Sequence, residues 1–114
     1  MNQTDKVFLC RLDGFEESKG FDLTDKGLGK VFIVRRDGKL TAFTNACPHT
    51  GAPLEWKADQ FLDFSGEFIQ CSIHGAIFST STGECLRGPC VGASLENREL
   101  AVEAQSVFLV CKAD

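Results

Sequence analysis

The clearest pattern in the chain is VFIVRRDGKLTAF at residues 31–43, two apolar-rich arms around Asp37-Gly38. An Asp-Gly pair accepts the positive φ angles of a type I′ turn, so this run predicts a β-hairpin. Residues 7–12 (VFLCRL) predict an earlier strand, and residues 68–70, just after Gly66, a short later one. Residues 100–102 and 107–111 predict a closing hairpin. Only residues 56–64 (WKADQFLDF) suit a turn or two of helix, with Asp59 as its cap. No internal repeat, low-complexity tract or linker is expected. The pattern predicts an all-β chain with a distinct middle segment.

That middle segment is where the chemistry collects. All three prolines (Pro48, Pro53, Pro89), both histidines and four of the six cysteines fall between residues 47 and 90. Loops rich in Pro and Gly have restricted backbones and place side chains well. The expected organisation is one domain over residues 1–114. Its scaffold would lie at approximately 1–43 and 92–114, and its binding part at approximately 44–91. A length of 114 residues suits a single domain.

Composition narrows the function. Hydrophobic residues make up 43% and charged residues 25%, an ordinary globular balance. Ten Phe and no Tyr leave most of the aromatic bulk without a polar handle. A net charge of −4 and the lack of a Lys/Arg run argue against nucleic acid as a partner. The N-terminus lacks the basic and apolar regions of a secretory signal. No stretch approaches the roughly 20 apolar residues of a membrane span. The expectation is a cytoplasmic chain without a membrane partner. In a reducing compartment, six cysteines suggest metal ligation before a disulfide framework.

Cys47-Pro48-His49 and Cys71-Ser72-Ile73-His74 each pair a soft thiolate with an imidazole inside a tight loop. Either motif alone is weak, because a buried Cys often serves as a small hydrophobe and a lone His by a turn is usually solvated. Together they use every histidine in the chain, each beside a cysteine, and that points to metal. Twenty-one residues separate His49 from Cys71, enough to bring the loops together. Two Cys and two His satisfy a tetrahedral zinc site and a two-iron cluster equally well.

CPHTGAPL (residues 47–54) followed by CSIHGAIF (residues 71–78) resembles the paired cluster-binding loops of Rieske ferredoxins. TGECLRGPCVGASL (residues 82–95) resembles that family's third loop, which carries a proline close to the cluster. The resemblance implies an all-β, Rieske-like antiparallel sandwich or barrel scaffold with a small cluster-binding subdomain. It implies one [2Fe–2S] cluster per chain. Cys47 and Cys71 would bind the inner iron, and His49 and His74 the outer iron near the protein tip. Pro89 would cover one side. Gly51 and Gly75 are expected to admit backbone N–H groups to the cluster sulfurs.

The chain departs from the family in three ways. The gap between the ligand loops is several residues longer than usual, with the extra length expected in residues 56–64. High-potential members tie the ligand loops with a disulfide, and here the matching positions are Ala52 and Ile73. Those members also place Ser and Tyr hydroxyls where this chain has Ala76 and Phe78. Without those donors the reduced state is less stabilised, so a low potential is expected. Finally, Cys85 and Cys90 form an extra pair in the third loop. They read either as a local disulfide or redox-active thiol, or as two small buried residues. Cys10 and Cys111 are expected to be core residues.

The resemblance implies reversible one-electron transfer between a reductase and a terminal oxidoreductase such as an oxygenase, with no catalytic residues of its own. The chain as read leaves no room for a substrate pocket. An electron-transfer subunit of a larger enzyme, similar to the small subunits of some assimilatory nitrite reductases, is the alternative. A structural zinc-binding module without redox activity is the third class. The exposed edges of His49 and His74 would be the exit point, with Pro48, Ala52 and Pro53 as a docking face. Oligomeric state is not readable from the sequence.

Overall fold

The computed structural model describes residues 4–48, 51–55, 57–72 and 75–112. Strands β1 (Thr4–Arg11), β2 (Ser18–Leu23), β3 (Gly29–Arg36) and β4 (Lys39–Thr44) open the fold. Then come β5 (Phe68–Gln70), β6 (Ile77–Ser79), β7 (Cys85–Arg87), β8 (Asn97–Arg98), β9 (Leu100–Glu103) and β10 (Ser106–Lys112). They form three antiparallel sheets, ordered β1-β10-β9, β2-β3-β4-β8 and β5-β6-β7. The all-β expectation holds. A 3-10 turn at Thr24–Lys26 joins β2 to β3.

The β3–β4 hairpin turns at Asp37 (φ 54) and Gly38 (φ 76), the left-handed pair that a type I′ turn requires. Val31, Phe32, Ile33 and Val34 of β3 are all buried. The reason is that over these four residues the strand has no solvent face. Val31 and Ile33 point toward Val107 and Leu109 of β10, while Phe32 and Val34 pack with Phe43, Phe78 and the cysteines 47 and 71. A strand covered on both sides reads as a continuous apolar run rather than an alternating one. The middle sheet thus divides the core into a scaffold side and a site side.

Strand β2 escaped the sequence pattern. SKGFDL has one buried residue, Leu23, and is held by pairing to β3 and by a clasp on its outer edge. The Gly20 N–H donates to Asp59 Oδ1 (2.8 Å), and the Ser18 hydroxyl donates to the Asp59 carbonyl (2.6 Å). That clasp corrects the helix expected at residues 56–64. Trp56 lies outside the described residues, and residues 57–64 hold no helix. Lys57 and Gln60 bridge around a tight turn in which Asp59 takes φ 64. An aspartate tolerates that left-handed geometry, and its carboxylate serves β2 instead of capping a helix. The chain then runs alongside β5, with Gln70 N–H donating to the Phe61 carbonyl (2.9 Å) and Asp63 N–H to the Phe68 carbonyl (2.9 Å).

Cys10 and Cys111 are half-buried rather than core residues, and they pair with Val107 and Asp5, not with each other. No helix among the described residues is long and apolar enough to cross a membrane.

Candidate metal centre

Two turns on the site side of the middle sheet repeat one hydrogen-bond frame. In the first, the Cys47 N–H donates to the Ala52 carbonyl (2.8 Å) and the Gly51 N–H to the Cys47 carbonyl (2.7 Å). In the second, the Cys71 N–H donates to the Ala76 carbonyl (2.8 Å) and the Gly75 N–H to the Cys71 carbonyl (3.0 Å). Gly51 and Gly75 adopt φ 78 and 67, so glycine is required here by the backbone. The signal was present in the sequence as CPHTGA and CSIHGA, a six-residue repeat of Cys-x-x-x-Gly-Ala too short to register as an architectural period. The glycine N–H groups close their own turns on the cysteine carbonyls.

The turns are joined and anchored. Ser72 N–H donates to the Leu54 carbonyl (3.0 Å), linking the second turn to the chain leaving the first. Asn45, only 6% exposed, accepts the Leu54 N–H on Oδ1 (2.8 Å) and donates through Nδ2 to Glu55 (2.9 Å). It staples the two ends of the first loop. Sequence reasoning missed Asn45, although a polar residue two positions before a buried cysteine motif is the kind of group that must find partners.

Cys47 and Cys71 are brought into one buried cluster with Phe32, Phe43, Phe78 and Leu54. His49 and His74 lie outside the described residues, as does Ile73. A cavity of about 260 Å³ opens beside Cys71, lined by Leu62, Phe64, Gln70, Ser72 and Gly75. Ala76 and Phe78 are buried and offer no hydroxyl.

The third loop closes over this region from β7. Cys85 N–H donates to the Ala93 carbonyl (3.0 Å), and Ala93 N–H to the Cys90 carbonyl (2.9 Å). Cys85 and Cys90 are buried in the same cluster as Cys47 and Cys71. Burial pushes the Cys90 thiol up to about 12, with the hydrogen bond and charge of Cys85 and then the charge of Cys47 adding to it. Pro89 is exposed beside them.

Two buried thiols in matched turns, each followed by a histidine within three residues, fit a [2Fe–2S] cluster with mixed ligands. That group supplies reversible one-electron chemistry. The thiols also fit zinc, so the choice of metal rests on kinship.

Residues 6–106 match the family model of the Rieske [2Fe-2S] domain. Apoptosis-inducing factor 3 of Homo sapiens is 34% identical over 101 residues, covering 89% of this chain but 16% of that protein. The chain thus spans about one sixth of the length of that curated relative. Among solved structures, the ferredoxin of carbazole 1,9a-dioxygenase from Nocardioides aromaticivorans IC177 superposes with a TM-score of 0.71 at 22% identity, covering 91% of this chain and 95% of that one. The Sphingomonas yanoikuyae B1 ferredoxin gives 0.71 at 23% identity, covering 96% and 99%. The fold, the paired cysteine turns and the family match agree: the chain belongs to the Rieske [2Fe–2S] domain family, and the cluster of that name is its cofactor.

Proposed function

We propose that this chain is a one-electron carrier that binds one [2Fe–2S] cluster through Cys47, His49, Cys71 and His74. It passes electrons between a reductase and a terminal oxidoreductase such as an oxygenase. The observation that carries this reading is the pair of cysteine turns with one hydrogen-bond frame, buried together on one side of the middle sheet. The kinship supports it, since the ferredoxin with 95% of its length covered belongs to a dioxygenase system. Residues 44–91 form the cluster-binding part, and residues 1–43 and 92–114 the scaffold. The absence of a secretory-type N-terminal pattern and the two Cys/His motifs at residues 47–49 and 71–74 favour a cytoplasmic setting.

Each residue has a stated task. Cys47 and Cys71 hold the cluster from the interior, where burial excludes water. His49 and His74 hold it from the outside as neutral imidazoles, and their free ring edges make the short path to a partner. The purified protein should contain about two irons and two acid-labile sulfides per chain. The reduced form should give the low average g value of mixed Cys/His ligation. Replacing His49 or His74 by Ala should abolish the cluster, whereas Cys10→Ala and Cys111→Ala should retain it. Stoichiometric zinc in freshly isolated protein would make it a structural zinc module instead.

A further inference from the structure

We propose that Cys85 and Cys90 are a reversible dithiol–disulfide pair whose bond clasps the third loop against the second cysteine turn. The inference is independent of the metal reading, because neither residue is one of the proposed ligands.

The two sulfurs lie 2.8 Å apart, with the Cys90 thiol donating to Cys85 Sγ and the Cys85 thiol directed to the Arg87 carbonyl (3.4 Å). That separation is well inside ordinary contact between non-bonded sulfurs, and a bond needs about 2.05 Å. The loop base is already fixed by the hydrogen bonds that Cys85 and Cys90 exchange with Ala93 (3.0 and 2.9 Å), so closure needs little backbone movement. Between the cysteines, Leu86, Arg87, Gly88 and Pro89 are all exposed. At Gly88 (φ 112) an added Cβ would come within 2.9 Å of Ala76 Cα, so this segment presses directly on the second cysteine turn. A bond between residues 85 and 90 would tie down both ends of the stretch that makes that contact.

The oxidant we assign is a low-molecular-weight disulfide such as oxidised glutathione. Cys90 is the slightly more exposed of two buried residues, at 6% against 2%. Burial keeps the Cys90 thiol protonated while the loop is closed, so the reaction runs through opening of the exposed 86–89 stretch. Cys90 then loses its proton to solvent and attacks the disulfide, and one glutathione leaves as a thiolate that takes up a proton. Cys85, deprotonated in turn, attacks the Cys90 sulfur of the mixed disulfide and expels the second glutathione. Two protein thiols are oxidised, and one small disulfide is reduced to two thiols.

The test uses folded, metal-loaded protein equilibrated anaerobically in glutathione buffers from reducing to oxidising. Samples are quenched in acid, alkylated under denaturing conditions and mapped by mass spectrometry. The expected result is a Cys85–Cys90 linkage, two hydrogens lighter than the dithiol, that forms and reverses with the buffer. Cys85→Ser should abolish the linkage and leave Cys90 carrying glutathione. Trypsin provides a second readout. Cleavage after Arg87, compared with cleavage after exposed Lys26, should slow several-fold in the oxidised form. Full alkylation of both cysteines across the whole range, or linkage of Cys90 to Cys47 or Cys71, would overturn the pair. Equal cleavage at Arg87 in both forms would overturn the clasp.

Discussion

Asn45 holds the first cysteine turn in place by accepting the N–H of Leu54, a residue with no exposed surface, and donating to Glu55. Asn45→Ala should leave that buried N–H without an acceptor, at a cost of about 1–3 kcal/mol. Thermal unfolding measures the loss, and faster release of iron to a chelator would show that it falls on the ligand turn. Ala76 and Phe78 set a different property. With neither offering a hydroxyl to sulfur, the reduction potential should lie near the low end of the Rieske range, about −150 mV rather than about +300 mV. Phe78→Tyr or Ala76→Ser should raise it. Both sites are buried, so a hydroxyl that finds no partner would instead destabilise the protein. A raised potential with an unchanged melting temperature is therefore the outcome that shows a new bond to sulfur, and a wild-type value well above 0 mV would defeat the argument.

Among the elements, residues 57–64 carry the most structural consequence for their length. Phe61 is fully buried and stacks on Phe32 of β3 with ring centroids 4.3 Å apart and planes 3° from parallel. Phe61→Ala should cost about 3–5 kcal/mol in a denaturant titration. Phe64, three residues on, is fully exposed, so Phe64→Ala should change stability by no more than about 0.5 kcal/mol. The sequence pattern gave the β3–β4 hairpin, β5 and the closing β9–β10 hairpin, because each has either a turn pair or a dense apolar run. It gave no sign of β2, whose partners at Asp59 lie 39 to 41 residues away in the chain. It also missed β6, β7 and β8, short strands whose pairing comes from tertiary contact rather than period. The cysteine positions of the site were legible because thiols and imidazoles were concentrated in two motifs. The staple at Asn45 and the turn frame of the glycines were not, since both depend on where backbone N–H groups point.

At the scale of the whole molecule, part of the excess of acidic residues gathers in one place. Glu16, Glu17, Asp59 and Asp63 line one cleft of about 450 Å³ that also includes Phe64. Phe64 in turn lines the cavity beside Cys71, so an acidic face and an apolar contact meet next to the second cysteine turn. Electron transfer to a basic one-electron acceptor protein should therefore slow as salt rises, and Glu17→Gln with Asp63→Asn should flatten that dependence. Phe64→Ala should slow transfer at every salt concentration without moving the potential. Stopped-flow rates across a salt series separate the two effects. If the acidic pair leaves the salt dependence unchanged, steering does not come from this cleft.

The two cysteine turns also bear on how fast such a carrier can work. Each turn is closed by hydrogen bonds between its own backbone groups, and each is tied to the other through Ser72 and Leu54. Gaining or losing an electron changes the charge between them, and a loose loop would relax around each state. The N–H groups of Cys47, Gly51, Cys71, Ser72 and Gly75 are already committed, which limits how far these turns can rearrange. Structural reorganisation should be small, and the ligand positions should superpose closely between oxidation states.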